Sequence, residues 1–233
     1  MNDPLVEMLV GPDRIRAWAT DRGESSVHPE RVEPAVLRER QRSIAGGDWV
    51  MVDQVHGTEV FEPDPMEPWA PMRGRGDVIV TTSRDVRLAV WAGDCAPIAL
   101  ASNDGVLVAA HAGWRGLAAG VVDVAVEQAR SRGGDIAVAI LGPVIHPCCY
   151  EFGADDLDAV AAGLGVATAQ VRGVSAAGRA ALDVPAGVAG ALARHGIRLD
   201  LSGPCTGCDD RWFSHRVRGD LGRHALVVER VAA

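Results

Sequence analysis

Two histidines and one cysteine, His56, Cys95 and His111, are the residues of this sequence best suited to chemistry. Each lies close to a glycine and terminates or interrupts a predicted strand, and strand ends are where ligand-binding loops converge. Two imidazoles and a thiolate, with one position open to water, form the ligand set of a catalytic zinc ion. Nitrogen and sulfur donors favour zinc over magnesium or calcium, although ligand type alone leaves copper open. The first hypothesis is therefore a zinc centre at these three residues.

The same residues permit a reaction without a metal. His111 would deprotonate Cys95, and the thiolate would attack an acyl or amide carbon while His56 orients or binds the substrate. Non-catalytic interpretations also stand, because cysteine is often a small buried apolar residue and a core histidine is often simply hydrogen-bonded. The three residues are far apart in the sequence and match no compact zinc-finger spacing. Spacing alone leaves these alternatives open.

Four further cysteines lie in the second half of the chain: Cys148, Cys149, Cys205 and Cys208. The spacing of Cys205 and Cys208 is that of a redox motif or half a zinc site, but no second pair repeats it. The adjacent Cys148 and Cys149 are not expected to chelate one ion together. We therefore expect neither a zinc ribbon nor a thioredoxin-like site here, and the odd total of five cysteines argues against a disulfide framework.

Composition limits the class of protein. A chain of 233 residues with 48% hydrophobic content can fill the core of one large domain. The 31 acids and 23 bases are scattered and give a net charge of −8, so we expect no nucleic-acid partner. The sequence has no apolar run long enough for a membrane span and no export signal, which predicts a cytoplasmic location and no membrane partner. Oligomeric state is not readable from it.

Several enzyme classes are excluded by residue type. All basic residues apart from histidine are arginines, so no lysine is available for a Schiff base or a lysine nucleophile. The glycine-rich segments contain neither a dinucleotide-binding fingerprint nor a nucleotide-triphosphate loop, and no G-x-S-x-G elbow is present.

Apolar periodicity predicts strands that alternate with helices, and hence an α/β (α+β) fold with a mixed central β-sheet flanked by helices. Residues 49–55 read as a strand, and residues 62–76 as a proline-rich surface loop whose length suggests a lid. The other predicted elements are one strand within residues 5–20, a helix at 34–43, a hairpin of strands 77–82 and 86–91, strands at 98–101 and 106–110, a helix after Arg115, a strand at 136–141, helices at 154–164 and 185–196, and a strand at 225–231.

A set of motifs in order resembles the laccase-domain family, also called YfiH-like. This family was first labelled multicopper polyphenol oxidase and later recognised as zinc-dependent purine nucleoside enzymes. The resemblance runs from about residue 49 to the C-terminus, so residues 1–48 form a divergent part of one predicted domain, 1–233. The motifs are Gln54-Val55-His56-Gly57, Gly93-Asp94-Cys95-Ala96-Pro97, His111-Ala112-Gly113-Trp114-Arg115-Gly116, Gly142-Pro143, Cys148-Cys149-Tyr150-Glu151 and Phe213-Ser214-His215-Arg216.

This resemblance implies a fold shared with YfiH and related at fold level to cytotoxic necrotizing factor. It implies zinc ligation and catalysis by His56, Cys95 and His111. The implied reaction is phosphorolysis of adenosine, inosine, guanosine and methylthioadenosine, with adenosine deamination as a second activity. The partners would then be small purine nucleosides and phosphate. Arg115 is our candidate for binding phosphate or ribose through bidentate hydrogen bonds, with a purely structural role as its alternative.

The sequence departs from the family pattern at three places, which leaves substrate preference less determined than metal binding. Gly93 stands where an alanine is common, His215 stands where a tyrosine is common, and the usual motifs before His56 are absent. The alternatives are a metal-free cysteine hydrolase or deamidase, or a peptidoglycan-precursor editing hydrolase, using Cys95 and His111. A non-catalytic partner-binding protein is a third. Copper oxidase chemistry is disfavoured because the chain has only seven histidines in all.

Overall fold

Two mixed β-sheets pack face to face at the centre of the computed structural model, which describes residues 2–233. A separate two-stranded ribbon lies beside them. The strands are β1 Val6–Val10, β2 Asp13–Ala19, β3 Trp49–Val50, β4 Val60–Phe61, β5 Val78–Thr81, β6 Arg87–Ala92, β7 Ala96–Ser102, β8 Leu107–Ala112, β9 Ile136–Leu141, β10 Arg172–Val174, β11 Ala180–Leu182, β12 Leu201–Ser202 and β13 His224–Ala232.

Helices cover the outer faces of both sheets. They are α1 Pro34–Ala45, α2 Trp114–Ala118, α3 Val121–Arg130, α4 Ala154–Leu164, α5 Thr168–Val171, α6 Val184–Arg194 and α7 His215–Arg218, with a 3-10 turn at Pro147–Cys149. Within residues 2–233, none of these helices has the length and apolar character needed to cross a bilayer.

The first sheet has the order β1-β2-β13-β6-β3, and the second the order β12-β9-β7-β8-β5-β4. Strand pairs within each sheet are antiparallel except at edges, where β3, β4 and β12 pair in parallel. The apolar side chains between the two sheets form one core. Helices pack on the outer face of each sheet and make a four-layer structure, with α1 on the first sheet and α2, α3, α4 and α6 on the second. The predicted α/β fold with a mixed sheet flanked by helices is therefore confirmed, with the sheet present as two packed halves.

Several predicted elements have the bounds expected from periodicity. β9 and α4 match residue for residue, and α1, α6 and β13 differ by one or two residues at an end. The strands around the 103–105 turn are β7 and β8, which pair antiparallel with Ile98 opposite Ala110. All residues of β7 and β8 are buried, because a sheet lies on one side of them and helices on the other. Burial on both faces explains why the sequences of β7 and β8 are continuous apolar runs and do not alternate with polar residues.

Three other predictions are wrong in detail. The single strand within residues 5–20 is two strands, β1 and β2, paired as a hairpin. The strand predicted at 49–55 ends after Val50, and the following residues continue without regular pairing. The helix after Arg115 is divided into α2 and α3, because Gly120 takes a left-handed conformation with φ of 83°.

The hairpin predicted for residues 77–82 and 86–91 does not form. β5 pairs with β8 and β4, whereas β6 pairs with β13 and β3 in the other sheet. The segment between them crosses from sheet to sheet, and its Arg84 forms an ion pair with the buried Asp13 at 2.7 Å. The polar turn residues correctly indicate a reversal but do not determine which strands pair.

The proline-rich loop of residues 62–76 is present, but it is held in place against the first sheet rather than over a site. The Trp69 indole N–H donates to Gln41 Oε1 of α1 at 2.8 Å, and the Arg73 backbone N–H donates to the Met51 carbonyl. These bonds hold the loop at its present position, and its role as a lid stays a prediction from its length.

Asp13 provides a test of the ion pairs that join β2 to β13 and to the segment between β5 and β6. Its side chain is 1% exposed and pairs with Arg84 and with the buried Arg230, 2.8 Å away. Asp13→Ala leaves the Arg230 charge buried and uncompensated, so we expect it to lower the free energy of unfolding by about 3 kcal/mol. Urea denaturation measures the change.

Glu7→Ala is the matched control for that substitution. Glu7 also pairs with two arginines, Arg14 and Arg16, but on the exposed surface of β1. We expect the control to leave the free energy of unfolding nearly unchanged, because water screens exposed ion pairs. Equal changes in the free energy of unfolding for the two substitutions would contradict the view that burial makes the Asp13 ion pairs important for stability.

Candidate metal centre

Strand pairing brings Cys95 and His111 together. Cys95 directly precedes β7, and His111 is the penultimate residue of β8. The two strands are antiparallel, with Ala96 opposite Ala112 and Pro97 opposite His111. Two residues separated along the chain are thus neighbours at one end of the second sheet, as the sequence predicted for the ends of adjacent strands.

His56 reaches the same place from the loop after β3. Its Nε2 lies 3.9 Å from Cys95 Sγ. Its ring meets the His111 ring edge to face, with 4.7 Å between the centroids and an interplanar angle of 87°. One donor atom from each of the three residues lies within 4.8 Å of the others. The structure therefore brings together all three residues singled out from the sequence, in an arrangement that can hold a metal ion.

A buried carboxylate, Asp77, fixes both imidazoles. Its Oδ1 accepts from His111 Nδ1–H at 2.8 Å and from the His56 backbone N–H at 3.0 Å, and its Oδ2 accepts from the Gly57 N–H at 2.7 Å. Because His111 uses Nδ1 for this bond, its Nε2 is the nitrogen left for a metal. Sequence analysis missed Asp77. The available signal was an acidic residue immediately before the apolar run of β5.

The glycine after the β8 strand is required by the site. A Cβ on Gly113 would lie 2.6 Å from the His56 ring and 3.3 Å from Cys95 Sγ. Any side chain there would displace these two groups. Gly113 therefore lets the backbone at the start of α2 pass directly against the donor atoms.

The donor groups perturb each other's protonation. Burial would raise the pKa of the Cys95 thiol, but His111 and hydrogen bonds from His111 and His56 lower it to about 6. Burial would lower the pKa of His111, but the Cys95 thiolate and the Asp77 carboxylate raise it to about 9. The metal-free pair is thus a thiolate beside an imidazolium. A thiolate is the form that both a metal and a nucleophilic mechanism require.

A cavity of about 230 Å³ opens beside these donors. Its lining includes His28, which sequence analysis missed because the segment that carries it matched no motif. Burial and nearby arginines, chiefly Arg223, lower the pKa of His28 to about 4, so its ring is neutral at pH 7. The residues that line the cavity are His28, Gln54, His56, Trp91, Ala92, Gly93, Cys95, His111, His215 and Arg223.

The two sequence departures within the motifs both line this cavity. His215 presents an imidazole to the cavity. A Cβ at Gly93 would lie 3.0 Å from Arg223 Cδ, so the glycine leaves space for that arginine. The departures therefore change the wall of the cavity and leave the three donors as they are.

Arg115 lies outside the lining of this cavity. Its side chain is exposed, and its guanidinium carbon lies 4.5 Å from the centre of the Trp114 ring. The Trp114 ring, with Tyr150, lines a small apolar pocket of about 30 Å³ on the other side of Cys95. Arg115 therefore directly follows Trp114, a residue that lines this small pocket beside Cys95.

Comparison with known proteins gives the family. Residues 25–230 match the family described as multi-copper polyphenol oxidoreductase laccase. The chain belongs to this family. It is 40% identical over 184 residues to a purine nucleoside phosphorylase of Streptomyces coelicolor, covering 77% of this chain and 74% of that protein. It is 33% identical over 246 residues to a purine nucleoside phosphorylase of Pseudomonas aeruginosa, covering 98% of each.

The fold is that of the laccase family. The crystal structure of Bacillus licheniformis YfiH superimposes with a TM-score of 0.80 at 23% identity, covering 96% of this chain and 98% of that one. The predicted resemblance to the laccase-domain, YfiH-like family is therefore confirmed. The family description implies a metal, and the His56, Cys95 and His111 donors fit one. Both relatives are named as enzymes, which supports an enzymatic function for this chain.

The ionisation of Cys95 can be measured directly in chelator-treated protein. Only the thiolate reacts with iodoacetamide, so we expect the alkylation rate of Cys95 to rise with a midpoint near pH 6. Asp77→Asn removes the charge that keeps His111 protonated and should move the midpoint upward. Mass spectrometry of the Cys95 peptide gives the rate. Asp53→Asn, an exposed carboxylate outside the site, should leave the midpoint unchanged, and an ordinary midpoint near pH 9 in the wild type would contradict the thiolate pair.

Proposed function

We propose that this protein is a zinc-dependent purine nucleoside phosphorylase. The observation that carries the proposal is the convergence of His56, Cys95 and His111 within 4.8 Å at one cavity, with Asp77 orienting His111. Relatives that share 33–40% of their residues with this chain bear the name of that activity. The three donors are proposed to act both as metal ligands and as the catalytic centre.

The donor set supports zinc as the metal. Two imidazole nitrogens and one thiolate suit zinc and leave a fourth position for water or substrate. A multicopper centre needs many histidine ligands, whereas the donor cluster found among residues 2–233 contains two of the seven histidines of the chain. When bound, zinc supplies a Lewis acid at the floor of the cavity.

The proposed substrates are adenosine, inosine, guanosine and methylthioadenosine, with phosphate as the second reactant. In phosphorolysis, a phosphate oxygen forms a bond to the anomeric carbon of the ribose while the bond from that carbon to the purine nitrogen breaks. The purine leaves with the electron pair and takes up the proton that phosphate gives up. Arg223 in the cavity wall supplies positive charge for the phosphate, and neutral His28 can hydrogen-bond to the nucleoside.

Adenosine deamination is proposed as a second activity of the same site. Water replaces the amino group on C6 of the purine, and ammonia leaves. This reaction shares the nucleoside and the metal with phosphorolysis but needs no phosphate. The cytoplasmic location and the expectation of no nucleic-acid or membrane partner stay predictions from the sequence, and purine nucleosides and phosphate are the partners that the family resemblance implies.

A metal-free cysteine hydrolase is the second candidate, favoured by one observation. The pKa of Cys95 is lowered and that of His111 is raised, as in thiol enzymes. The Cys95 thiolate would attack an acyl or amide carbon, and His111 would give its proton to the leaving amine. Water would then cleave the acyl-thioester, which restores the thiol.

Metal content and turnover together separate the two candidates. We expect Cys95→Ala and His111→Ala each to lose one zinc per chain and to lower kcat/KM for inosine phosphorolysis at least about a hundredfold. Mass spectrometry of metals and chromatography of the released purine measure these. His195→Ala is the control, because His195 lies outside the site and pairs with Asp123 at 2.6 Å. This variant should keep both the zinc content and the kcat/KM of the wild type.

Activity measured after metal removal by a chelator also distinguishes the two candidates. The proposed phosphorylase loses activity in chelator and regains it with added zinc. Activity that survives complete metal removal but is abolished by alkylation of Cys95 would favour the cysteine hydrolase instead.

Arg115 is retained as a proposed phosphate- or ribose-binding residue of the second pocket beside Cys95, next to Trp114, and not of the cavity that Arg223 lines. Loss of a charge-assisted bidentate contact should raise the phosphate KM of Arg115→Ala about tenfold to a hundredfold, with a smaller effect on kcat. Steady-state kinetics at varied phosphate measures this. Arg198→Ala, whose side chain is 87% exposed, should leave the KM unchanged. An unchanged KM in both variants would exclude the phosphate-binding role.

A further inference from the structure

Four cysteines form a second donor cluster away from the cavity. The Sγ atoms of Cys148, Cys149, Cys205 and Cys208 all lie within 4.8 Å of one another. Cys148 Sγ is 3.7 Å from Cys149 Sγ, 3.7 Å from Cys205 Sγ and 3.2 Å from Cys208 Sγ, and Cys149 Sγ is 3.5 Å from Cys208 Sγ. The sequence alone does not lead one to expect that adjacent cysteines share an ion, but the 3-10 turn at 147–149 brings both thiols close to Cys208.

The two cysteine-bearing segments are joined by backbone hydrogen bonds. The Val144 N–H donates to the Pro204 carbonyl at 3.1 Å, and the Thr206 N–H donates to the Val144 carbonyl at 3.0 Å. The Arg218 guanidinium donates to the carbonyls of Thr206 and Gly207, which fixes the loop between Cys205 and Cys208. The four thiols are thus positioned by the fold and do not meet as mobile surface groups.

We propose that these four cysteines bind one structural zinc ion. In a tetrahedral site with Zn–S bonds of about 2.3 Å, the sulfur atoms are about 3.8 Å apart. Four of the six sulfur–sulfur separations are 3.2–3.7 Å and all six are within 4.8 Å, which fits four ligands around a single zinc ion. A cluster of several iron ions would need its cysteines spread around the whole cluster. Four protein ligands leave no open position, so the role is structural.

Two local features support a metal rather than chance proximity. A Cβ on Gly207 would lie 2.7 Å from Cys149 Cβ and 2.8 Å from Cys149 Sγ, so this position of the loop admits only glycine. The His146 backbone N–H donates to Cys205 Sγ at 3.3 Å. Backbone donors around a sulfur stabilise a thiolate, which is the ligand form.

The proposed zinc would hold one wall of the catalytic site. Thr206 Oγ1, in the loop between the ligands, donates to Asp94 Oδ1 at 2.6 Å, and the Ile145 N–H donates to the Asp94 carbonyl at 3.0 Å. Asp94 directly precedes Cys95. The tetrathiolate site therefore secures both segments that support the backbone of Cys95, without contact with the substrate cavity.

The test measures the zinc content of the wild type and of Cys208→Ser, and the zinc coordination in Cys95→Ala. Wild-type protein purified with zinc should contain one more zinc per chain than Cys208→Ser, by mass spectrometry of metals. Cys208 is exposed, so its substitution disturbs little packing. In Cys95→Ala, whose catalytic zinc is removed, X-ray absorption at the zinc edge should show four sulfur neighbours at about 2.3 Å.

Cys208→His distinguishes loss of metal from loss of fold. Histidine is also a zinc ligand, so this variant should keep the zinc and its thermal stability, whereas Cys208→Ser should melt at a lower temperature. Equal zinc content in the wild type and Cys208→Ser would overturn the proposal. Iron or copper at the four sulfurs would overturn the choice of zinc. Two missing free thiols in denatured, unreduced wild type would identify a disulfide instead.

Discussion

The buried carboxylate of Asp77 is the group on which the site depends. Its side chain is fully buried and would be unfavourable there without partners, but it accepts hydrogen bonds from two backbone N–H groups and from His111. The bond to His111 sets the tautomer of that ring, and the bonds to His56 and Gly57 hold the turn that presents the second ring. One anion at the start of β5 therefore determines the placement of both imidazoles.

The third donor depends on how the two sheets pack. Cys95 lies in the short connection between β6, in the first sheet, and β7, in the second, so its position reflects the distance between the sheets. The apolar core between the sheets maintains that distance, and Arg230 of the first sheet donates to the Thr82 carbonyl just after β5 of the second. A change far from the cavity can thus alter the separation of Cys95 from the two histidines.

Motif and periodicity predicted the central part of both fold and site. The positions of Cys95 and His111 at strand ends, and the extents of β9 and α4, follow from local sequence, whereas His56 lies in the loop after β3 and not at the predicted strand end. The sheet assignment of β5 and β6 could not be predicted, because the turn between them specifies a reversal and tertiary packing selects the partners. Asp77 and the four-cysteine cluster were missed for a related reason, since hydrogen bonds and segment pairing from distant parts of the chain create them.

Backbone conformation at the site opposes the intrinsic preference of its residues. Among the non-glycine residues from 2 to 233, three have positive φ, and two of these are His56 at 60° and Asp94 at 111°. Such conformations cost about 1–3 kcal/mol each in side-chain-bearing residues. Glycine at position 56 would relieve that strain, whereas glycine at position 94 would also remove the carboxylate that accepts hydrogen bonds from Thr206 and Arg216. Selection for stability alone would therefore favour replacement of the His56 donor, and its persistence in a lineage would record selection for what the site does.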